Sequence, residues 1–248
     1  MKDAKENEAN PLIVALDVSD TEQALRLVDR LADHVGLFKV GLQLFSAVGP
    51  SIVREIQKRR GRIFLDLKLH DIPNTVGNAA VECGRMGVEM ITLHTLGGKP
   101  MMKAARERID EFSEREGWMP PKLLGVTILT SLTEEDLHSI GIYSTPQESV
   151  VKLARLASES MLDGVVASPH ELRTLYKSGL NHLVFVIPGV RPSDSEKDDQ
   201  ARATTPFEAI LEGATYLVVG RPIVRAADPV EATQKISKEI RNAKIKLG

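Results

Sequence analysis

A chain of 248 residues, 42% hydrophobic and 27% charged, fits one large α/β domain or two small ones and has the composition of an ordinary globule. Its formal net charge of −2 gives no overall pull toward nucleic acid or an anionic membrane, so any phosphate ligand must be held by local charges. The one cysteine, Cys83, excludes an internal disulfide and a multi-cysteine metal site.

Residues 1–10, MKDAKENEAN, are polar and lack an apolar signal core, which predicts a loose leader and residence in the cytoplasm. No run approaches the roughly 20 apolar residues that a membrane span requires. The first predicted strand, Leu12 to Leu16, ends in Asp17, and Asp20 with Gln23 caps a helix carrying Leu25, Val28, Leu31 and Ala32 at helical spacing. Strand two, Leu37 to Val40, carries Lys39 before Gly41. A helix starting near Pro50 buries Ile52, Val53 and Ile56 and stops at Gly61. Strand three opens IFLDLKLHDIPNT, Ile63 to Thr75, and its helix runs from near Pro73 through Val76, Ala80 and Cys83 to Gly87. Strand four, Val88 to Leu93, ends at His94, and the next helix carries Met101, Met102, Ala105, Ile109 and Phe112, a methionine pair suited to core filling.

Strand five, Leu123 to Leu129, ends in Thr130-Ser131, and helical pieces follow at Glu134 to Ser139 and Pro146 to Leu162. Strands six, seven and eight are Gly164 to Ala167, Leu183 to Ile187 and Tyr216 to Val219, with helices from Pro206 and Pro229. Four helix starts repeat one device: Thr145-Pro146-x-Glu148, Ser168-Pro169-x-Glu171, Thr205-Pro206-x-Glu208 and Asp228-Pro229-x-Glu231. Each offers an N-cap oxygen, a proline where no amide is needed, and a carboxylate near the positive helix end. Eight short strands alternating with helices imply a parallel sheet covered on both faces, and eight is the number that closes a single-domain (β/α)8 TIM barrel, here over residues 11–248. An open doubly wound sheet would call for a glycine-rich loop after strand one, where the chain instead reads Asp17-Val18-Ser19-Asp20.

The informative polar residues fall at the carboxyl ends of predicted strands: Asp17, Lys39, Asp66, Lys68, Thr130, Arg191 and Arg221. In a barrel those ends converge on the face that carries active sites. Side chains two apart in a strand share a face, so Asp66 and Lys68 are expected to point the same way. Lys39, Asp66, Lys68 and Asp71 alternate in sign, which lets four charges share a site, and a protonated lysine there can act as general acid and electrostatic stabiliser at once. After strands seven and eight, Gly189 with Arg191 and Gly220 with Arg221 offer close backbone approach and forked cationic donors, the makings of a phosphate clamp. The polar segment from Arg191 to Thr204 is long for a barrel connection and reads as a lid, with Gln200 in reach of a ligand when it closes. His70 and His94 lack a second histidine or a carboxylate at metal-ligand spacing, so no metal site is expected.

D-x-K-x-x-D from Asp66 to Asp71, followed by Ile72-Pro73-Asn74-Thr75, resembles the signature of the orotidine 5'-phosphate decarboxylase family, as do ALDV at Asp17, FKVG at Lys39, LTS at Leu129, PGVRP at Pro188 and VVGRPI at Val218. The resemblance spans Leu12 to about Ala227 and looks like the bacterial members. It implies loss of carbon dioxide from C6 of orotidine 5'-monophosphate to give UMP, without metal or organic cofactor. It assigns Lys68 to proton donation, Asp66 to the departing carboxylate, and Lys39 and Asp71 to the charge row. Asp17 and Lys39 would hold ribose, Thr130 the pyrimidine, and Arg191, Gln200, Gly220 and Arg221 the phosphate. It further implies a homodimer in which Asp71, Ile72 and Thr75 reach the partner's site. Two alternatives share parts of this pattern: a magnesium-dependent phosphosugar decarboxylase or synthase built on D-x-K-x-x-D, and a silent barrel that binds a nucleotide.

Overall fold

The structure, a computed structural model, describes residues 10–192 and 204–248. Residues 1–9 of the expected leader, Gln200 and most of the expected lid lie outside the described residues, whereas Asn10, the leader's last residue, donates to the His34 carbonyl at 2.9 Å. The strands are β1 (Leu12–Ala15), β2 (Leu37–Gly41), β3 (Ile63–Leu69), β4 (Met90–His94), β5 (Lys122–Val126), β6 (Gly164–Val166), β7 (Val184–Pro188) and β8 (Tyr216–Val219), and they follow one another in sequence order around a closed barrel. Among the described residues the helices are α1 (Thr21–Leu31), α2 (Leu42–Val48), α3 (Ser51–Lys58), α4 (Pro73–Arg85), α5 (Gly98–Glu116), α6 (Glu134–Ser139), α7 (Pro146–Glu159), α8 (Leu172–Lys177), α9 (Pro206–Leu211), α10 (Arg221–Val224) and α11 (Pro229–Leu247). None is long and apolar enough to cross a membrane.

Internal contacts gather in two units, one formed by the chain through Asp66 together with Ile187–Gly248, the other by Leu67–Val186. In the first, β1 lies parallel between β2 and β8, with Ile13 opposite Leu37 and Val218, and β2 runs parallel to β3 with Gly41 opposite Asp66. All four residues of β1 are buried, as expected for a parallel strand covered on both faces. Phe38 and Phe64 are buried in the same unit, each burial contributing about 1.5–3 kcal/mol. The apolar stripes of α1 (Ala24, Leu27, Val28, Leu31) and α3 (Ile52, Val53, Ile56) face inward. Where β7 has ended and α9 has yet to begin, the Arg191 amide donates to the Thr204 carbonyl at 3.1 Å.

In the second unit β4, β5, β6 and β7 pair in parallel succession, Thr92 opposite Leu124 and Val126 opposite Val166. Gly164 is required here, because a Cβ on it would come within 2.1 Å of the Val184 carbonyl oxygen on the neighbouring strand. Met101 and Met102 are wholly buried core residues. Cys83 is buried too, and desolvation pushes its thiol up to about 12, which leaves it inert.

The repeated capping device forms as reciprocal boxes at Thr145/Glu148, Ser168/Glu171 and Thr205/Glu208, whereas Asp228 caps through Val230 alone. A further box, Thr133 with Asp136, opens α6. Several boundaries shift by a few residues, and α2 and α10 had no counterpart in the sequence expectation. Strand five stops at Val126 rather than Leu129, in step with β4, whose last residue His94 lies opposite Val126; beyond it Thr127 still reaches the Val166 carbonyl, the hydroxyl at 3.0 Å and the amide at 3.5 Å. Helix α2 follows β2 without a spacer, and α10 begins at Arg221, directly after β8 and Gly220.

Candidate active site

In the first unit a chain of charges runs across β1, β2 and β3, with Asp17 just past the end of β1 and, unlike the strand-end placement expected from sequence, Lys39 and Asp66 within β2 and β3 themselves. Leu16 donates its amide to the Lys39 carbonyl at 3.0 Å, so the exit of β1 stays beside β2 and Asp17 arrives next to Lys39. The Lys39 ammonium donates to Asp17 Oδ1 at 2.9 Å and stands 3.6 Å from Asp66 Oδ2. Lys39 keeps only 13% of its side chain exposed and Asp66 10%, against 57% for Asp17, so the chain runs from a buried carboxylate to one in contact with solvent. Gly41 leaves room for it: a Cβ at that position would come within 2.9 Å of Lys39 Nζ. Such an array fixes one cation in place and offers an open carboxylate to hydroxyl groups of a ligand.

The same unit holds the expected phosphate loops. Gly189 adopts a φ of 79°, a backbone conformation suited to glycine, and leads through buried Val190 to half-buried Arg191. A Cβ on Gly220 would meet Ala15 Cβ and Asp17 Oδ2 at ordinary contact distance, and Arg221 is exposed at the first position of α10.

In the second unit Lys68 is half-buried near the end of β3 with a φ of 52°. The backbone departs from regular strand geometry at that residue. Its amide donates to Thr92 Oγ1 at 2.9 Å. Asp71 is exposed and its Oδ1 accepts from the Ile72 amide at 2.6 Å; Ile72, 67% exposed, is the N-cap of α4, with Pro73 in the first turn and Thr75 exposed behind it. Thr130 lies exposed in a turn beyond β5, not at the strand end itself. The rings of His70 and His94 sit 5.3 Å apart at a tilt of 37°. Thr92 and this ring contact had no signal in the sequence beyond a polar residue at the middle of an apolar strand. Among the described residues, no three His, Cys, Asp or Glu side chains gather as a metal-binding group.

Eight parallel strands closing in sequence order, alternating with helices, make this chain a (β/α)8 barrel. The model of the orotidine 5'-phosphate decarboxylase / HUMPS family matches residues 10–236, and the chain belongs to that family. A curated orotidine 5'-phosphate decarboxylase of Moorella thermoacetica is 48% identical over 234 residues, 94% of this chain and 93% of that one. Its counterpart in Geotalea daltonii is 50% identical over 229 residues, 92% and 95% of the two chains. The crystal structure of orotidine 5'-phosphate decarboxylase from Lactobacillus acidophilus superposes with a TM-score of 0.83 at 37% identity, covering 93% of this chain and 99% of that one.

Proposed function

We propose that this chain decarboxylates orotidine 5'-monophosphate to UMP in de novo pyrimidine synthesis, as a cytoplasmic enzyme that uses no metal or organic cofactor. The observation that carries the reading is the Asp66–Lys39–Asp17 chain across three successive strands, shielded at Asp66 and Lys39 and open at Asp17, with Lys68 two residues beyond Asp66 in sequence. The 48–50% identity to curated decarboxylases supports the same substrate.

In this mechanism the bond from C6 to the carboxylate breaks and leaves its electron pair on C6. The Lys68 ammonium stabilises that charge and then delivers its proton to C6, and the resulting amine is reprotonated from water. Asp66 lies against the departing carboxylate, and Lys39 and Asp71 complete the row of alternating charge. Asp17 and Lys39 hold the ribose hydroxyls and Thr130 contacts the pyrimidine. Arg191, Gly220 and Arg221 hold the phosphate, with Gln200 from the neighbouring segment. Phosphate binding, remote from C6, supplies energy that can be realised in the transition state. Exposed Ile72, with Asp71 and Thr75 beside it, is suited to completing the site of a second copy in a homodimer.

The test is the ultraviolet absorbance of orotidine 5'-monophosphate mixed with the protein in excess EDTA, with K68A in parallel. The expected result is conversion to UMP by the native chain and loss of at least about 10⁴-fold in K68A. Absence of turnover by the native chain would reject the assignment. Activity on ketose phosphates that requires magnesium would point to the phosphosugar alternative, and UMP binding alone to a silent barrel.

A further inference from the structure

Three non-glycine residues have a left-handed backbone among the described residues: Arg60, Lys68 and Met161. Arg60 and Met161 come just after the C-caps of α3 and α7, Arg59 and Ser160, where a left-handed residue is a common way to stop a helix. Lys68 lies inside a strand, where an L side chain gains nothing from a φ of 52°. A residue held in such a state needs surroundings that over-determine it.

Those surroundings lie on β4. The Lys68 amide donates at 2.9 Å to the hydroxyl of Thr92 on the neighbouring strand. Thr92 is wholly buried at the middle of β4 and is a β-branched residue with restricted χ1, so its oxygen is fixed in space. Alternation puts His94 on the same face of β4, and the His94 ring packs on that of His70. Positions 68 and 70 are thus both gripped from one face of the neighbouring strand, the first by its backbone and the second by its side chain.

We propose that Thr92 is a positioning residue: its hydroxyl holds Lys68 in the left-handed conformation and so sets the direction in which the ammonium-bearing side chain leaves β3. The functional half of this inference rests on Lys68 being the proton donor; the structural half does not.

The experiment therefore has two arms. Melting temperatures are measured for K68A and K68G, each with and without T92V, which removes the acceptor and keeps the side-chain shape. The glycine variant should melt about 2–4 °C above the alanine variant, because only alanine is strained at positive φ, and that advantage should vanish with T92V. In the second arm, T92V should lower kcat by about 10²-fold with KM changed less than about twofold, and T92S, which keeps the hydroxyl, should restore most of it. Equal melting of K68A and K68G, a glycine advantage that survives T92V, or a T92S enzyme as slow as T92V would each overturn the proposal. A native chain without decarboxylase activity would reject the functional reading alone, and the melting cycle would still decide whether Thr92 holds the backbone. If T92V does not fold, T92A takes its place in the cycle.

Discussion

Two basic side chains in this protein are bracketed by carboxylate pairs and shielded to nearly the same degree. Lys39 stands between Asp17 and Asp66 with 13% of its side chain exposed; Arg106 stands between Asp110 and Asp163 with 14%. Arg106 meets Asp110 with two guanidinium nitrogens and reaches Asp163 at 3.2 Å, and the same Asp163 oxygen accepts the Leu123 amide at 2.8 Å. Asp163 also donates its amide to the Leu123 carbonyl and accepts from the Val184 amide, so it ties together the starts of β5, β6 and β7. That cluster is closed upon itself at the amino-terminal end of the strands, with a planar forked cation committed to its partners. The Lys39 cluster lies at the carboxyl end, uses a compact cation, and finishes in a carboxylate that is 57% exposed. Similar charge and similar burial thus serve a joint in one place and leave valences for a ligand in the other.

The difference can be broken by exchanging the readouts. Replacing Lys39 by methionine should reduce turnover per folded molecule by about 10²–10³-fold, as for loss of a preorganised electrostatic group, and steady-state kinetics on protein shown by circular dichroism to be folded checks this. Replacing Arg106 by leucine should do the opposite, costing about 1–3 kcal/mol of stability by leaving Asp163 without its cation while the folded fraction keeps its kcat; urea unfolding alongside kinetics decides it. A subtler probe is Gly41→Ala, whose Cβ would enter the space beside Lys39 Nζ. The ammonium must shift by tenths of an ångström, so kcat/KM should fall about tenfold with little change in melting temperature.

The smallest expected effect concerns Glu171, whose carboxylate closes the box at Ser168. Burial pushes it up to about 7 from an ordinary 4.5, outweighing the hydrogen bond from the Ser168 amide. Between those values the folded state holds a proton that the unfolded state has released, so this group's contribution is complete below about pH 4.5 and is lost as pH rises toward 7. The slope is at most about 1.4 kcal/mol per pH unit. Denaturation at pH 5 and pH 8 should show a smaller difference for E171Q than for the native chain; identical differences would remove the assignment.

Much of this architecture was legible before any coordinates. The strands are short runs of apolar residues, and the Thr-Pro-x-Glu type of helix start carries its own mechanism, which is why the boxes at Thr145, Ser168 and Thr205 form as expected. Periodicity could not separate α2 from β2, because LFKVGLQLFSAVG is apolar on either side of the junction and a short apolar run suits both states. Strand five could not be ended correctly from its own residues, since Ile128 and Leu129 continue its apolar run past Val126. In the candidate site, Asp17, Lys39 and Asp66 were visible as charges at strand ends and do come together. The left-handed turn at Lys68 was invisible, because nothing in a lysine announces it and its support, Thr92, is 24 positions away.

The hydrogen bond from the Arg191 amide to the Thr204 carbonyl acts as a clasp. By joining Arg191 to Thr204, the barrel presents a fixed socket: the exit of β7 on one side and the capping box of α9, which begins at Thr205, on the other. The consequence is one of addressing: α9 resumes at a set place beside the exit of β7, so the Thr205–Glu208 box and Arg191 keep a common spacing.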